Sequence, residues 1–365
     1  MVGITKEDPS SLTPENQALL ERFRAGKKVA LARAISMVED ERAGFQAFLH
    51  AALETPRFSK RIGFTGPPGS GKSTLVAALT RAYREREEKV AVVAVDPTSP
   101  YSGGALLGDR IRMNDLATDP EIFIRSMATR GSLGGLATTT KEVLDLMDAF
   151  GFQRVLVETV GVGQTELEIT GAADTVVVVL VPESGDAIQA MKAGLMEIAD
   201  IFVVNKSDRP GAERLVKDLR LALHLREGEA LKDVPAHHGI DLKRVGIPEK
   251  ELQQVAGSSE EEGGWEIPVL QTTAHSGEGV DGLMEAISSH RSFLERTGAL
   301  QVRREARAAG RVRDVVEREI RRLTWRHAGV RRVLEKGVGE IVEGRETPYS
   351  MAGAIISEIM GPGTK

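Results

Sequence analysis

The sequence contains no cysteine, which excludes disulfides, thiolate metal sites and a cysteine nucleophile. Aromatics are scarce, at 4% of residues. The longest apolar run, TVVVVLV, falls far short of the ~20 residues that a membrane span needs. The amino-terminal stretch MVGITKEDPSSLTPENQ has no basic segment followed by an apolar one, so no leader is read there and a cytoplasmic protein away from membranes is expected. Positive charge is not in excess either: a formal net charge of -5 on 28% charged residues argues against a molecule dedicated to nucleic acid or lipid.

What is present is a chain of 365 residues, more than one core usually supports, so one large domain with accessory elements is expected. The first 60 or so residues carry no strand signal. In TPENQALLERFRAG, Thr13 suits a helix cap, Pro14 the first helical position and Gly26 a stop, and KKVALARAISMVED continues helical. From residue 61 the texture changes to the apolar runs RIGFT, KVAVVAVD, IFIRSMA, RVLVET, TVVVVLV, IFVVN and IPVLQT, separated by helical stretches. Continuous apolar strands alternating with helices predict an α/β fold, a mainly parallel sheet covered on both faces, whose ligands bind at the carboxyl ends of the strands. After residue 283 the strands stop. Val312, Val316, Ile320 and Leu323 fall on one stripe of a helix that needs a partner, and TPYSMAGAIISEIM reads as a further helix capped by Thr347. The expected organisation is a helical extension over 1–58, an α/β domain over 59–290 and a carboxy-terminal helical segment over 291–365.

The strongest motif is GPPGSGKST, comprising Gly66, Pro67, Pro68, Gly69, Ser70, Gly71, Lys72, Ser73 and Thr74, which follows the strand RIGFT and opens a helix. Glycines let backbone N–H groups turn toward phosphates, the helix amino terminus adds positive potential, Lys72 neutralises the β- and γ-phosphates, and Ser73 is expected to ligate Mg²⁺. NKSD, with Asn205, Lys206 and Asp208, follows the strand IFVV. A carboxylate such as Asp208 accepts two parallel hydrogen bonds from guanine's ring N–H and amine, a pair that adenine does not offer, so GTP is expected. The loop at Thr273, Ala274 and His275 is placed to offer a backbone N–H to the guanine carbonyl. Asp96, Asp109 and Glu158 follow strands or face the same pocket, and are expected to complete the Mg²⁺ environment, mostly through water.

The stretch ETVGVGQTE, residues 158–166, opens with Glu158 where many nucleotide hydrolases place aspartate. Glu158 reaches far enough to hold a metal-bound water, and Gly161 leaves room for a backbone contact with the γ-phosphate. Gln164 stands three residues past Gly161; it orients the attacking water or serves a structural or partner-contact role. Arg110, Arg112 and Arg130 are candidates for the charge that completes catalysis. A slow GTPase, accelerated when a partner supplies charge, is the expected behaviour.

VALARAISMVE, GPPGSGKST, VAVDPTSP, GGALLGDRIRM, TRGSLGGLA, VETVGVGQTE, GDAIQAMKAG and NKSD, in that order, closely resemble the MeaB/ArgK family of phosphate-loop GTPases. That resemblance implies a chaperone of adenosylcobalamin-dependent methylmalonyl-CoA mutase or a related acyl-CoA mutase, with the cobalamin on the partner, a homodimer through the carboxy-terminal helices, and mobile switches near 99–112, 158–168 and 182–193. It also implies that Lys72, Ser73 and Thr74 hold phosphate and metal, that Asp96, Asp109 and Glu158 surround the metal, and that Asn205, Lys206 and Asp208 bind guanine. Two departures stand out: Glu183 replaces a glycine usual in the third switch, and the connection over 227–265 is longer than usual.

Rival readings remain. Residues 303–332 hold 11 arginines against the acids Glu305, Asp314, Glu317 and Glu319. A nucleic-acid footprint would carry more aromatics than Trp325, so a solvated dimer arm is the preferred reading. His237 and His238 raise a nickel-insertion GTPase, a γ-phosphate transfer to a protein would make a kinase, and GTP binding with scarcely any hydrolysis would make a scaffold.

Overall fold

The structure is a computed structural model and describes residues 12–54, 58–96, 113–128, 138–159, 168–182, 194–233 and 264–360. Each of the seven apolar runs forms a strand: β1 (Lys60–Thr65), β2 (Val90–Asp96), β3 (Ile122–Ala128), β4 (Arg154–Thr159), β5 (Thr175–Leu180), β6 (Ile201–Asn205) and β7 (Val269–Thr272). They make one parallel sheet in the order β3-β2-β4-β1-β5-β6-β7. Every residue of β4, β5 and β6 is buried, as the unbroken β-branched runs require of strands covered on both faces.

The helices are α1 (Pro14–Arg24), α2 (Lys28–Glu39), α3 (Phe45–Ala52), α4 (Lys72–Glu85), α5 (Thr138–Phe150), α6 (Leu195–Ile198), α7 (Ala212–Asp233), α8 (Val280–Arg296), α9 (Ala299–Arg326), α10 (Ala328–Val342) and α11 (Pro348–Met360). Thr13 caps α1 as its sequence context predicts, accepting from Asn16 N at 3.2 Å, and Gly26 just beyond the helix has φ 74°. Alternate strand residues feed two apolar layers. On one face Ile62, Phe64, Val92, Leu156, Val177 and Val203 pack with Leu75, Leu79 and Tyr83 of α4 and with Leu283 and Ile287 of α8. On the other, Val93, Val155, Val157, Val178 and Phe202 pack with α5 and α7 and with Phe23, Leu31, Ile35 and Phe48 of the first three helices. The amino-terminal helices thus share the core of the sheet.

The chain divides into two compact units, with the boundary inside α9 after Arg307. In the second unit, α10 and α11 lie antiparallel. Gly329 stands against Glu358 and Gly337 against Met351, where any Cβ would overlap those side chains. On α9 the stripe Val312, Val316, Ile320 and Leu323 is exposed.

Candidate nucleotide-binding site

Strand β1 lies at the point where the order of the sheet reverses, flanked by β4 on one side and β5 on the other. The crevice beyond the carboxyl end of such a strand is where ligands of open parallel sheets bind. The phosphate-loop sequence occupies it, running from Thr65 through Gly66 to Gly71, with α4 starting at Lys72. Gly66 has φ 131°, and a Cβ there would overlap the Val179 carbonyl of β5. Gly69 and Gly71 have φ 78° and 87°, backbone that residues with side chains rarely adopt. The loop therefore takes a form that only glycine permits at three points, with the amino terminus of α4 opening directly from it.

Lys72 is buried, and its Nζ donates to the carbonyls of Gly66 (2.8 Å) and Pro67 (2.9 Å). Its charge thus sits over the loop. Ser73, the next residue of α4, donates its hydroxyl to Glu158 Oε1 at 2.6 Å. Both are buried, Glu158 to 2% exposure at the end of β4. A hydroxyl and a carboxylate side by side are hard oxygen donors of the kind that Mg²⁺ takes directly or through water. Asp96 ends β2, where its backbone pairs with Ala128 and lies two residues beyond the pairing of Ala94 with Glu158. Asp109, Gly161, Gln164, Arg110, Arg112 and Arg130 lie outside the described residues, as do His237, His238, Glu183 and residues 234–263.

The NKSD segment is tied to the phosphate-loop segment by direct hydrogen bonds. Asn205, the last residue of β6, donates to the Ser70 carbonyl at 2.8 Å and accepts from Thr272 Oγ1 (3.1 Å) and Ala274 N (3.2 Å). Lys206 has φ 56°, a left-handed backbone uncommon for a residue with a side chain, and its Nζ reaches the Gly69 carbonyl at 2.9 Å. Ser207 and Thr273 join hydroxyl to hydroxyl at 3.0 Å, and Thr273 N donates to Glu278 O at 3.0 Å. The amides of Thr273 and Ala274 are thus engaged inside the protein. Asp208 and His275 are exposed beside them.

The phosphate-loop segment, the start of α4, the Ser73–Glu158 pair and the NKSD segment thus share one end of the sheet. The profile described as Methylmalonyl Co-A mutase-associated GTPase MeaB matches residues 31–328. The chain belongs to the MeaB family of GTPases. Among its relatives, a putative GTPase of Pyrococcus abyssi is 41% identical over 94% of this chain and 97% of its own length. GTPase ArgK of Escherichia coli is 33% identical over 82% and 83% of the two chains. The mitochondrial methylmalonic aciduria type A homolog of Mus musculus is 28% identical over 96% and 82%. The solved crystal structure of a LAO/AO transport system kinase shares 26% identity, with TM-score 0.64 and coverage of 96% of this chain and 100% of that one. The MeaB-family chain is accordingly a GTPase on a parallel phosphate-loop fold.

Two groupings escape a reading of motifs. Thr159 follows Glu158 and meets Thr65 at the root of the loop. The second lies at the opposite, amino end of the sheet, where Asp174 and Asp200 stand directly before β5 and β6. Asp200 accepts from Arg303 (2.9 and 3.1 Å) and from Val176 N (2.8 Å), and faces His290 Nε2 at 3.3 Å. Asp174 is paired with Arg291 (2.9 Å), Arg304 (3.4 Å) and Arg307. Burial pushes both carboxyls up, but the neighbouring His290 and the Arg303 charge on Asp200, and the Arg307, Arg304 and Arg291 charges on Asp174, outweigh it and hold both below the usual carboxylate range. A signal was available: in GAADTVVVVLV and IADIFVVN an acid immediately precedes a strand buried on both faces, where a charge requires a partner.

Proposed function

We propose that this MeaB-family GTPase is a slow, Mg²⁺-dependent GTP hydrolase whose nucleotide state controls the loading, protection and repair of an adenosylcobalamin-dependent acyl-CoA mutase, methylmalonyl-CoA mutase first. The single observation that carries the hydrolase part is the Ser73–Glu158 hydrogen bond at 2.6 Å beside the buried Lys72. It gathers a metal-ligating hydroxyl, a carboxylate and a fixed cation at the head of α4. The mutase part rests on the family description and on the mouse relative's name.

In this reading, Lys72 leaves the Gly66 and Pro67 carbonyls to meet the β- and γ-phosphates, while the loop amides of residues 66–74 cradle them. Asp208 accepts from the ring N–H and amine of guanine, with Asn205 and Lys206 holding the base loop against the phosphate loop. Ser73, Glu158, Asp96 and Asp109 would hold Mg²⁺, the acids mostly through water. When bound, the metal supplies neutralisation of charge on the phosphates. Gly161 senses the γ-phosphate, and Gln164 either orients the attacking water or contacts the client. Turnover alone is then on the order of 10⁻⁴ s⁻¹, rising by ~10³–10⁵ when a charge is supplied, as in related nucleotide hydrolases. Cobalamin belongs on the mutase. The exposed stripe Val312, Val316, Ile320 and Leu323 supports a homodimer formed through the carboxy-terminal helices.

A kinase is the second reading, favoured by the name of the solved relative. The two differ in where the γ-phosphate goes. Incubation with GTP labelled at that phosphate is expected to release all label as inorganic phosphate, with or without mutase. Label retained on a protein would favour the kinase.

A further inference from the structure

Glu158 is held by Ser73, but a long carboxylate at a strand tip keeps its aim only if the tip itself is fixed. The tip is paired with β1 and β2, and the next residue adds a side-chain tie to that pairing. Thr159 is fully buried, and its hydroxyl reaches Thr65 Oγ1 at 3.2 Å and the Phe64 carbonyl at 3.4 Å. Thr65, also fully buried, is the last residue of β1 before the loop turns away at Gly66.

The register explains why this link has a directional effect. Phe64 pairs with Glu158, so Thr65 and Thr159 stand one step further along, and their side chains point to the opposite face from Phe64 and Glu158. On one face Glu158 is tied to Ser73, at the helix that follows the loop. On the other, Thr159 is tied to the strand that precedes it. The tip of β4 is therefore pinned to both ends of the phosphate loop by two successive residues. Two buried hydroxyls that only satisfied each other would have no bearing on the metal. Here they bracket the carboxylate on which the metal environment depends.

We infer that Thr159, acting through Thr65, is a positioning residue for the metal-binding carboxylate Glu158, setting Mg²⁺ affinity and the hydrolytic step rather than GTP affinity itself. This rests on the reading of Ser73 and Glu158 as the metal side of the site. Groups that orient metal ligands through hydrogen bonds typically contribute ~10–100-fold to metal affinity or activity.

The test uses the full chain and three variants: Thr159→Val, the double variant Thr65→Val with Thr159→Val, and Thr159→Ser. Removing one hydroxyl leaves a buried partner unsatisfied, whereas removing both with groups of the same shape costs little, so the double variant separates positioning from stability. A non-hydrolysable GTP analogue is titrated calorimetrically with EDTA and with Mg²⁺, and GTP turnover is measured in parallel. The double variant is expected to bind the analogue like wild type in EDTA, to lose about 10-fold of the gain that Mg²⁺ brings, and to lose about as much in kcat with KM little changed. Thr159→Ser is expected to behave as wild type. A double variant that melts like wild type and keeps the full Mg²⁺ gain and kcat overturns the inference, as does a Thr159→Ser variant with the same loss. A wild type that binds the analogue but gains nothing from Mg²⁺ would overturn the metal reading beneath it as well.

Discussion

Arg303 grips Asp200 with two nitrogens, Nη2 to Oδ1 at 2.9 Å and Nη1 to Oδ2 at 3.1 Å, across 103 residues of sequence. The same guanidinium donates to the Asp174 carbonyl at 2.9 Å, so one side chain of α9 joins the starts of β5 and β6. Arg307 adds bonds to the Asp174 carboxylate and the Ala173 carbonyl. Trp265 closes the other side, its indole N–H donating to the Asp200 carbonyl at 2.8 Å and its ring 4.8 Å from that of His290. The first part of α9 is thereby fixed to the amino end of the sheet.

Removing one partner of this pair leaves a carboxylate with 2% side-chain exposure short of its main cation. Breaking a buried ion pair in this way typically costs about 3–5 kcal/mol. Arg303→Ala is therefore expected to lower stability by about that much in urea unfolding, while exposed Arg322→Ala, whose Glu319 partner is also at the surface, changes it by less than ~1 kcal/mol.

The same pairs set an acid limit. Asp200 and Asp174 have folded-state pKa values below their unfolded ones, so the stability they bring is complete above an unfolded carboxylate pKa of about 3.9 and is lost as pH falls through the lower folded values. Asp148 acts in the opposite sense, because burial raises its carboxyl despite Arg61. Asp200→Asn is expected to flatten the dependence of unfolding free energy on pH below about 4. An unchanged acid slope would remove Asp200 from the account.

How much of this was legible depended on sequence distance. The strands were legible because each is a short apolar run whose neighbours are also buried, and the phosphate loop because Gly66, Gly69 and Gly71 serve a backbone path that other residues cannot follow. The basic stretch was not. Read as a solvated dimer arm, it includes Arg303, Arg304 and Arg307, which turn inward onto acids more than 100 residues away. The burial of α1–α3 in the sheet's own core was likewise hidden, since a helix's apolar stripe does not say what covers it. In α10, Gly329, Gly337 and Gly339 weaken the helical pattern. Two of them, Gly329 and Gly337, are where α11 comes close.

Lys72→Ala removes the cation that sits over the Gly66 and Pro67 carbonyls. Calorimetry is expected to find productive GTP binding abolished with the fold intact. Affinity equal to wild type would contradict the phosphate-loop role.

Asp208→Asn exchanges an acceptor for an amide that can donate, which suits the ring carbonyl of xanthine and not the N–H of guanine. Competition between the two triphosphates is expected to shift strongly toward xanthosine triphosphate. GTP binding that equals wild type would remove Asp208 from the base site.

Gly66→Ala would put a Cβ into the Val179 carbonyl at a backbone φ of 131°. A displaced loop and loss of GTP affinity are expected, whereas Gly69→Ala, where space is open and only φ 78° is unfavourable, should be milder.

The most direct measurement of the central claim is GTP turnover by the purified protein with and without an adenosylcobalamin-dependent acyl-CoA mutase from the same organism. Slow turnover alone, rising at least ~10³-fold in the complex, is the predicted result. Turnover of tens per second by the isolated protein, or no complex and no stimulation with the mutase present, would contradict a switch that its client completes.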